Sequence, residues 1–138
     1  MPDMNQPRHE TIARRLALGA GLLDFSTGLG LVFLPALTLP LMGVTPPGEA
    51  AETYLRFLGV FVGLVGFSYL WALWRGPAAL RLVFALTLFF RLAVGCFCAW
   101  ALATGRLEPA WASVPATDFA LAAAQAWLLR RGVFQDAR

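Results

Sequence analysis

The sequence contains little charge and few of the side chains that usually carry catalysis or bind metals. Only 14% of its 138 residues are charged and 59% are hydrophobic, whereas roughly 25% of the residues in an ordinary soluble domain are charged. All eleven basic residues are arginines, there is no lysine, and the formal net charge is +3. The arginines fall mostly at the ends of apolar runs rather than on one solvated face with aromatic residues between them, which excludes a nucleic-acid-binding protein.

The scarcity of histidine and cysteine argues against most enzyme classes. His9 is the only histidine and lies in a polar N-terminal segment, so Ser26 has no partner for a serine–histidine triad. Cys96 and Cys98 are two residues apart, about 200° around a helix, so they can neither bridge nor share a metal. An enzyme that uses buried carboxylates is an open alternative, but carboxylates held by arginine suit acid–base catalysis poorly. We therefore predict no catalytic residues, no metal site and no cofactor.

The sequence instead has long hydrophobic runs. Four segments approach the ~20 residues that a helix needs to cross a bilayer core, and they cover residues 16–39, 53–74, 80–103 and 112–129. Pro35 and Pro40 argue against signal-peptide cleavage and predict a broken or kinked end to the first segment. Because the other links are short, neighbouring helices are expected to pack antiparallel. The sequence thus predicts an all-α fold, a single transmembrane domain over residues 1–138 that forms an up-and-down bundle of four helices.

The charged residues outside these segments predict the orientation of the bundle. The links and ends on one side hold eight arginines, namely Arg8, Arg14, Arg15, Arg75, Arg81, Arg130, Arg131 and Arg138. The links on the other side hold Glu49, Glu52, Glu108 and the single arginine Arg106. By the positive-inside rule, both termini are predicted to be cytoplasmic in a multi-pass protein of the bacterial inner membrane.

Four ionisable residues fall inside the predicted spans. At about 1.5 Å of rise per residue, Asp24, Arg91 and Asp118 lie about 14–18 Å above the inner boundary, and Arg56 lies about 28 Å above it. Small residues recur at spacings of three and four beside these positions, as they do where membrane helices touch. We therefore expect all four side chains to point into the bundle. Arg91 should pair with Asp24, Asp118 or both, and Arg56 should reach either water or Asp118.

Buried charges of this kind have two interpretations. They can fix the register and topology of a bundle, or they can mark a proton relay, a ligand counter-ion or a wet cavity. On the second interpretation, the ligand-binding site consists of Asp24, Arg56, Arg91 and Asp118, and Arg56 faces an anionic or carbonyl-bearing head group.

The surroundings of this predicted site are also expected from the sequence. The site should open toward the outer leaflet, with the proline-containing link over residues 35–52 as its lid. The apolar residues expected to line the path to it are Leu31, Phe57 and Phe61. The polar residues that can extend it by hydrogen bonds are Ser26, Thr27, Tyr54, Thr117 and Gln125.

Several motifs resemble known membrane proteins. The first span contains "LLDFSTGLGLVFLP" and the second opens with "LRFLGVFVGLVGF", and the third and fourth contain Arg91 and Asp118. With these features the chain resembles the DoxX-like group of small bacterial four-helix membrane proteins over most of its length, which implies the fold. The position of Asp24 is similar to that of the carboxylate in the first span of dimeric small multidrug transporters. Arg56 and Arg91 depart from that pattern, because a transporter site for cations would not contain them.

These observations lead to one expected function and one alternative. The expected function is a non-enzymatic membrane protein that binds a membrane lipid or small amphipathic ligand, or that docks to a larger membrane complex. The alternative is a homodimeric, proton-coupled small transporter that uses Asp24 or Asp118. Neither interpretation involves nucleic acid.

Overall fold

The computed structural model describes residues 6–134, and this part of the chain is helical throughout apart from its links. The α-helices are α1 (Gln6–Phe33), α2 (Pro35–Leu41), α3 (Glu49–Arg75), α4 (Pro77–Ala103) and α5 (Ser113–Arg130). A 3₁₀ turn over Pro109–Ala112 precedes α5. Arg138, one of the arginines used to predict orientation, lies outside the described residues.

Three of these helices are long and apolar enough to cross a membrane. They are α3, α4 and the part of α1 from Pro7 to Phe33, each of 27 residues. Helices α3, α4 and α5 begin and end within four residues of the predicted segments. Helix α5 has 18 residues and is not among the three.

The end of the first predicted span is interrupted, as the two prolines indicated. Helix α1 ends at Phe33 and α2 begins at Pro35, because proline lacks an N–H and disfavours a helical conformation in the residue before it. Leu34 accordingly adopts φ −135° and ψ 50°. The predicted break near the end of the first segment is therefore confirmed, and it falls at Leu34. Residues 6–15, before the first predicted segment, are helical as well, so His9 lies in α1 rather than in a solvated tail. Its ring packs edge-on against that of Trp127, with the ring centroids 5.2 Å apart.

Glycines allow α1 and α3 to pack backbone against backbone. A Cβ atom on Gly28 would collide with the main chain of Gly63, and one on Gly66 would collide with the main chain of Phe25. Helices α4 and α5 meet in a related way, because the ring of Phe119 packs against the bare backbone of Gly95. The long helices thus form two tightly packed antiparallel pairs, α1 with α3 and α4 with α5.

Two hydrophobic clusters hold these pairs together at opposite ends. The larger cluster lies near the Gly76 link and consists mainly of Ala13, Ala17, Ala20, Tyr69, Ala72, Leu80, Val83, Phe84, Leu128, Val133 and Phe134. The smaller cluster, called here the roof, lies at the far end and consists of Leu31, Leu39 and Val44 with Met42, Leu55, Ala110 and Trp111 packed on them. Asp24, Arg91 and Asp118 lie between the two clusters, whereas Arg56 lies at the level of the roof, beside Leu55.

Candidate functional site

Arg91 joins three helices through two ion pairs. Its Nη2 donates to Oδ2 of Asp24 at 2.5 Å and its Nη1 donates to Oδ1 of Asp118 at 2.7 Å. Only 5% of the Arg91 side chain is exposed, and the two carboxylates are exposed by 14% and 13%. The prediction that Arg91 pairs with Asp24, Asp118 or both is confirmed, and the structure shows both pairs. These three residues are called the Arg91 trio below.

The pairing has a clear physical reason. A single aspartate or arginine at the centre of a membrane helix costs roughly 2.5–3.5 kcal/mol on insertion scales when it is unpaired. Charge-assisted hydrogen bonds between the three groups offset part of this cost. The trio also links the two packed pairs, because Arg91 of α4 and Asp118 of α5 belong to one pair and Asp24 of α1 belongs to the other.

A chain of uncharged polar groups continues from Arg91 toward the Gly76 link. Nε of Arg91 donates to the hydroxyl of Tyr69 at 3.3 Å, and that hydroxyl donates to Oγ1 of Thr87 at 2.7 Å. Thr87 donates in turn to the carbonyl of Val83 at 2.6 Å. Nε2 of Gln125 donates hydrogen bonds to the hydroxyl of Tyr69 and, at 3.0 Å, to Oγ1 of Thr87.

Sequence reasoning named Gln125 but missed Tyr69 and Thr87. Thr87 could have been found by its spacing, because it lies one helical turn before Arg91, just as Gln125 lies two turns after Asp118. Tyr69 has no such neighbour on its own helix, and only the packing of α3 against α4 brings its hydroxyl to Arg91. The network leaves Oε1 of Gln125 buried without a hydrogen-bond partner.

Arg56 does not join the trio, so of the two alternatives expected for its side chain, water and Asp118, the structure excludes a contact with Asp118. Its guanidinium forms an ion pair with Glu52, one turn earlier on α3, at 2.7 Å and also donates to the carbonyl of Val32. The Arg56 side chain is 43% exposed. The carboxylate of Glu52, four residues earlier on the same helix face, pairs with this arginine in place of Asp118.

The other predicted polar residues divide into two groups. Thr27 and Thr117 line a cavity beside the trio. Ser26 instead bonds the carbonyl of Leu23, and Tyr54 is 75% exposed, so neither extends the site. Hydroxyl groups that bond their own helix backbone in this way are common in helices.

The cavity has a volume of about 400 Å³ and carries the trio on its wall. It lies between the larger hydrophobic cluster and the roof, on the roof side of the contact between Tyr69 and Thr87. The remaining lining is largely apolar, from all four long helices and the roof: Leu23, Leu31, Met42, Leu58, Phe61, Val62, Val65, Phe90, Val94, Cys98, Trp111 and Val114. Leu31 and Phe61 are thus lining residues as predicted, whereas Phe57 is 64% exposed and lies outside.

The cavity opens through the side of the bundle between α3 and α4. Among its apolar lining residues Leu23 on α1 is about half exposed, and so are four on the other two helices, Leu58 and Phe61 on α3 and Phe90 and Val94 on α4. These four residues lie at similar distances along the chain from the Gly76 link, so they form one rim. An apolar rim on the side of the bundle is suited to contact with lipid rather than with water.

Hydrogen bonds hold the roof to the link before α5 at the far end of the bundle. Glu108, in the link before α5, accepts hydrogen bonds from the backbone N–H of Thr45 at 2.7 Å and from its hydroxyl at 3.1 Å. Met42 and Trp111 contribute to both the roof and the cavity wall. The link after α2 therefore covers the cavity at this end, in the place where the sequence predicted a lid.

The described residues also bear on the remaining candidates for chemistry. Cys96 is exposed and Cys98 is buried beside the cavity, and the two thiols are not bonded to each other. Within residues 6–134 no three histidine, cysteine or carboxylate side chains are grouped so that they could hold a metal ion. Among the described residues, the polar and reactive groups at the cavity are therefore carboxylate, guanidinium and hydroxyl groups and the thiol of Cys98.

The comparisons with known proteins assign neither a family nor a function. No protein-family model matches the sequence, and no curated protein and no solved structure is significantly similar to it.

Proposed function

We propose that this protein is a non-enzymatic membrane protein that holds a lipid-like or small amphipathic molecule in the cavity beside the Arg91 trio. The observation that carries this proposal is the cavity itself. Its charged groups meet at the Arg91 trio, and apart from a few hydroxyl groups, apolar side chains form the rest of its lining. Its volume of about 400 Å³ falls within the range of roughly 300–1,000 Å³ that is usual for ligand pockets.

The proposal includes four spans, with α5 as the fourth. Eighteen residues of helix extend about 27 Å, close to the ~30 Å hydrocarbon thickness. Helix α5 packs along α4 and contributes Asp118 to the trio, which ties it to the membrane-embedded part of the bundle. We include the resemblance to DoxX-like proteins in this proposal, on the motifs given above.

The proposed orientation has both termini on the cytoplasmic side of an inner membrane. Arg75 and Arg131, near the Gly76 end, lie over the rings of Trp74 and Trp127 at 5.9 and 5.6 Å. Arginine and tryptophan together are typical of a membrane–water boundary, and a high density of arginine favours the cytoplasmic one. In this orientation the cavity lies in the outer half of the membrane, with its mouth in the outer leaflet.

Native mass spectrometry of gently extracted protein tests the binding function. We expect a retained lipid-sized adduct on the wild-type protein. The change Val94→Trp should remove it by filling the mouth of the cavity. Leu92→Trp is the matched control, because Leu92 and Val94 are 41% and 46% exposed on the same helix but only Val94 lines the cavity.

Two results would contradict the proposal. One is wild-type protein that carries no adduct in any of several mild detergents. The other is an adduct that both tryptophan variants retain to the same extent, since the bound molecule would then lie elsewhere on the bundle.

A further inference from the structure

We infer that the polar end of the bound molecule is a protonated amine. This inference rests on the proposed function and names the class of ligand that the cavity accepts. It replaces the anionic or carbonyl-bearing head group that the position of Arg56 in the sequence led us to expect.

The first argument is the charge of the cavity wall. The trio contains two carboxylates and one guanidinium, so its formal charge is −1. Arg56, which the sequence placed in the same site, pairs with Glu52 and does not line the cavity. Asp24, Arg91 and Asp118 are the only ionisable carboxylates and basic groups among the residues that line the cavity described above. A negative charge in apolar surroundings favours a cation or a proton beside it.

The second argument is the hydrogen-bonding capacity that remains. Each aspartate uses one oxygen to accept from Arg91, namely Oδ2 of Asp24 and Oδ1 of Asp118. Among the described residues no side chain or backbone N–H donates to the second oxygen of either carboxylate, and both aspartates line the cavity. Two acceptor oxygens on the walls formed by α1 and α5 suit a head group with several N–H donors. A primary ammonium group has three such donors.

The third argument is the aromatic lining. The rings of Phe61, Phe90 and Trp111 line the same cavity as the trio. Aromatic faces attract cations, most strongly where water is excluded, and they give no such advantage to an anion. An anionic head group would also add a second negative charge beside two carboxylates whose only guanidinium is already shared between them.

The test compares three probes that share one alkyl chain. Purified wild-type protein in a mild non-ionic detergent is given dodecylammonium, dodecanol or dodecyl phosphate at equal concentration and neutral pH, and the bound fraction is read by native mass spectrometry. We expect the ammonium probe to bind about ten-fold more tightly than the alcohol, which corresponds to about 1.4 kcal/mol, and the phosphate to bind least.

Three variants locate the preference. Asp24→Asn and Asp118→Asn each bring the trio to a formal charge of zero, so each should reduce ammonium binding to the level of the alcohol. Glu52→Gln is the matched control, because its carboxylate lies outside the cavity, and it should keep the wild-type preference. Thermal unfolding of each variant identifies any variant that fails to fold. The comparison of the three probes on the wild-type protein tests the inference even if a variant has to be set aside.

The outcomes separate this inference from the proposed function. Equal binding of all three probes would overturn the amine assignment, because it would mean that a bound proton already neutralises the charge of the trio. The proposal that the cavity binds an amphiphile would remain. A preference for the phosphate, or an ammonium preference that survives in both folded asparagine variants, would also overturn it. Failure of every probe to bind, together with the absence of a native adduct, would overturn both.

Discussion

Nη1 of Arg91 in α4 lies 2.7 Å from Oδ1 of Asp118 in α5. On the opposite side of the same guanidinium, Asp24 of α1 accepts a hydrogen bond from Nη2. The two carboxylates thus depend on one arginine, and neither has another basic partner among the described residues. The stability of the bundle should therefore be more sensitive to Arg91 than to either aspartate.

Truncation of Arg91 should strongly destabilise the protein. Arg91→Ala leaves two buried carboxylates without a cation, and breaking a buried pair in this way costs about 3–5 kcal/mol. Arg106→Ala is the control, because Arg106 is exposed and stacks over Trp100 at the surface. Thermal unfolding in detergent measures the difference. The double variant Arg91→Leu with Asp24→Asn should recover part of the loss, and equal stability of the two alanine variants would show that Arg91 is not a buried partner.

The close contact of α1 and α3 should not tolerate a methyl group. Gly28→Ala should destabilise the protein by about 1–3 kcal/mol, because the new Cβ would meet the backbone of Gly63 and force the helices apart. Gly19→Ala adds the same methyl group to the same helix at a position with no atom within 4 Å, so it should be neutral or slightly stabilising. Thermal unfolding of the two variants side by side checks this, and a Gly28→Ala protein as stable as Gly19→Ala would contradict the packing.

Loss of the Tyr69 hydroxyl should destabilise the interior of the bundle. Tyr69→Phe removes the oxygen that accepts from Arg91 and Gln125 and the donor to Thr87. Buried donors left without a partner cost about 1–3 kcal/mol. The only other tyrosine, Tyr54, is 75% exposed, so Tyr54→Phe should leave the unfolding temperature unchanged. A Tyr69→Phe protein that unfolds at the wild-type temperature would show that the network does not contribute to stability.

The proposed topology can be tested in intact cells. Protease-sensitive tags fused to either terminus should be protected by an intact inner membrane, since both ends are expected to be cytoplasmic. A membrane-impermeant thiol reagent should label a cysteine placed at Gly48, in the exposed link before α3, from the outside. The parent for this experiment lacks Cys96 and Cys98, so that labelling reports only on residue 48. Accessible tags together with an unlabelled residue 48 would show that the proposed orientation is inverted. One protected tag and one accessible tag would show an odd number of spans and so exclude four.

The sequence was sufficient to predict three of the long helices and the central ion pairs. Long apolar runs set the positions of α3, α4 and α5, because the hydrophobic length of a segment depends only on its own residues. The prolines likewise predicted the break after Phe33, since their effect on the backbone is local. The pairing of Arg91 with Asp24 and Asp118 followed from depth and helix face, because few alternative partners exist for a charge buried among apolar residues.

Only the tertiary structure decided which polar groups share the cavity. The capture of Arg56 by Glu52 and Val32 depends on the approach of α1 to α3, and depth along a helix cannot choose between a partner on the same helix and one across the bundle. Tyr69 joins the network because α3 and α4 converge near the Gly76 link. The cavity lies farther from this link, lined by residues of α3 and α4, and residues of the roof line its far end. Periodicity places a residue on a face of its helix, but the packing of neighbouring helices determines whether that face meets another side chain or open space.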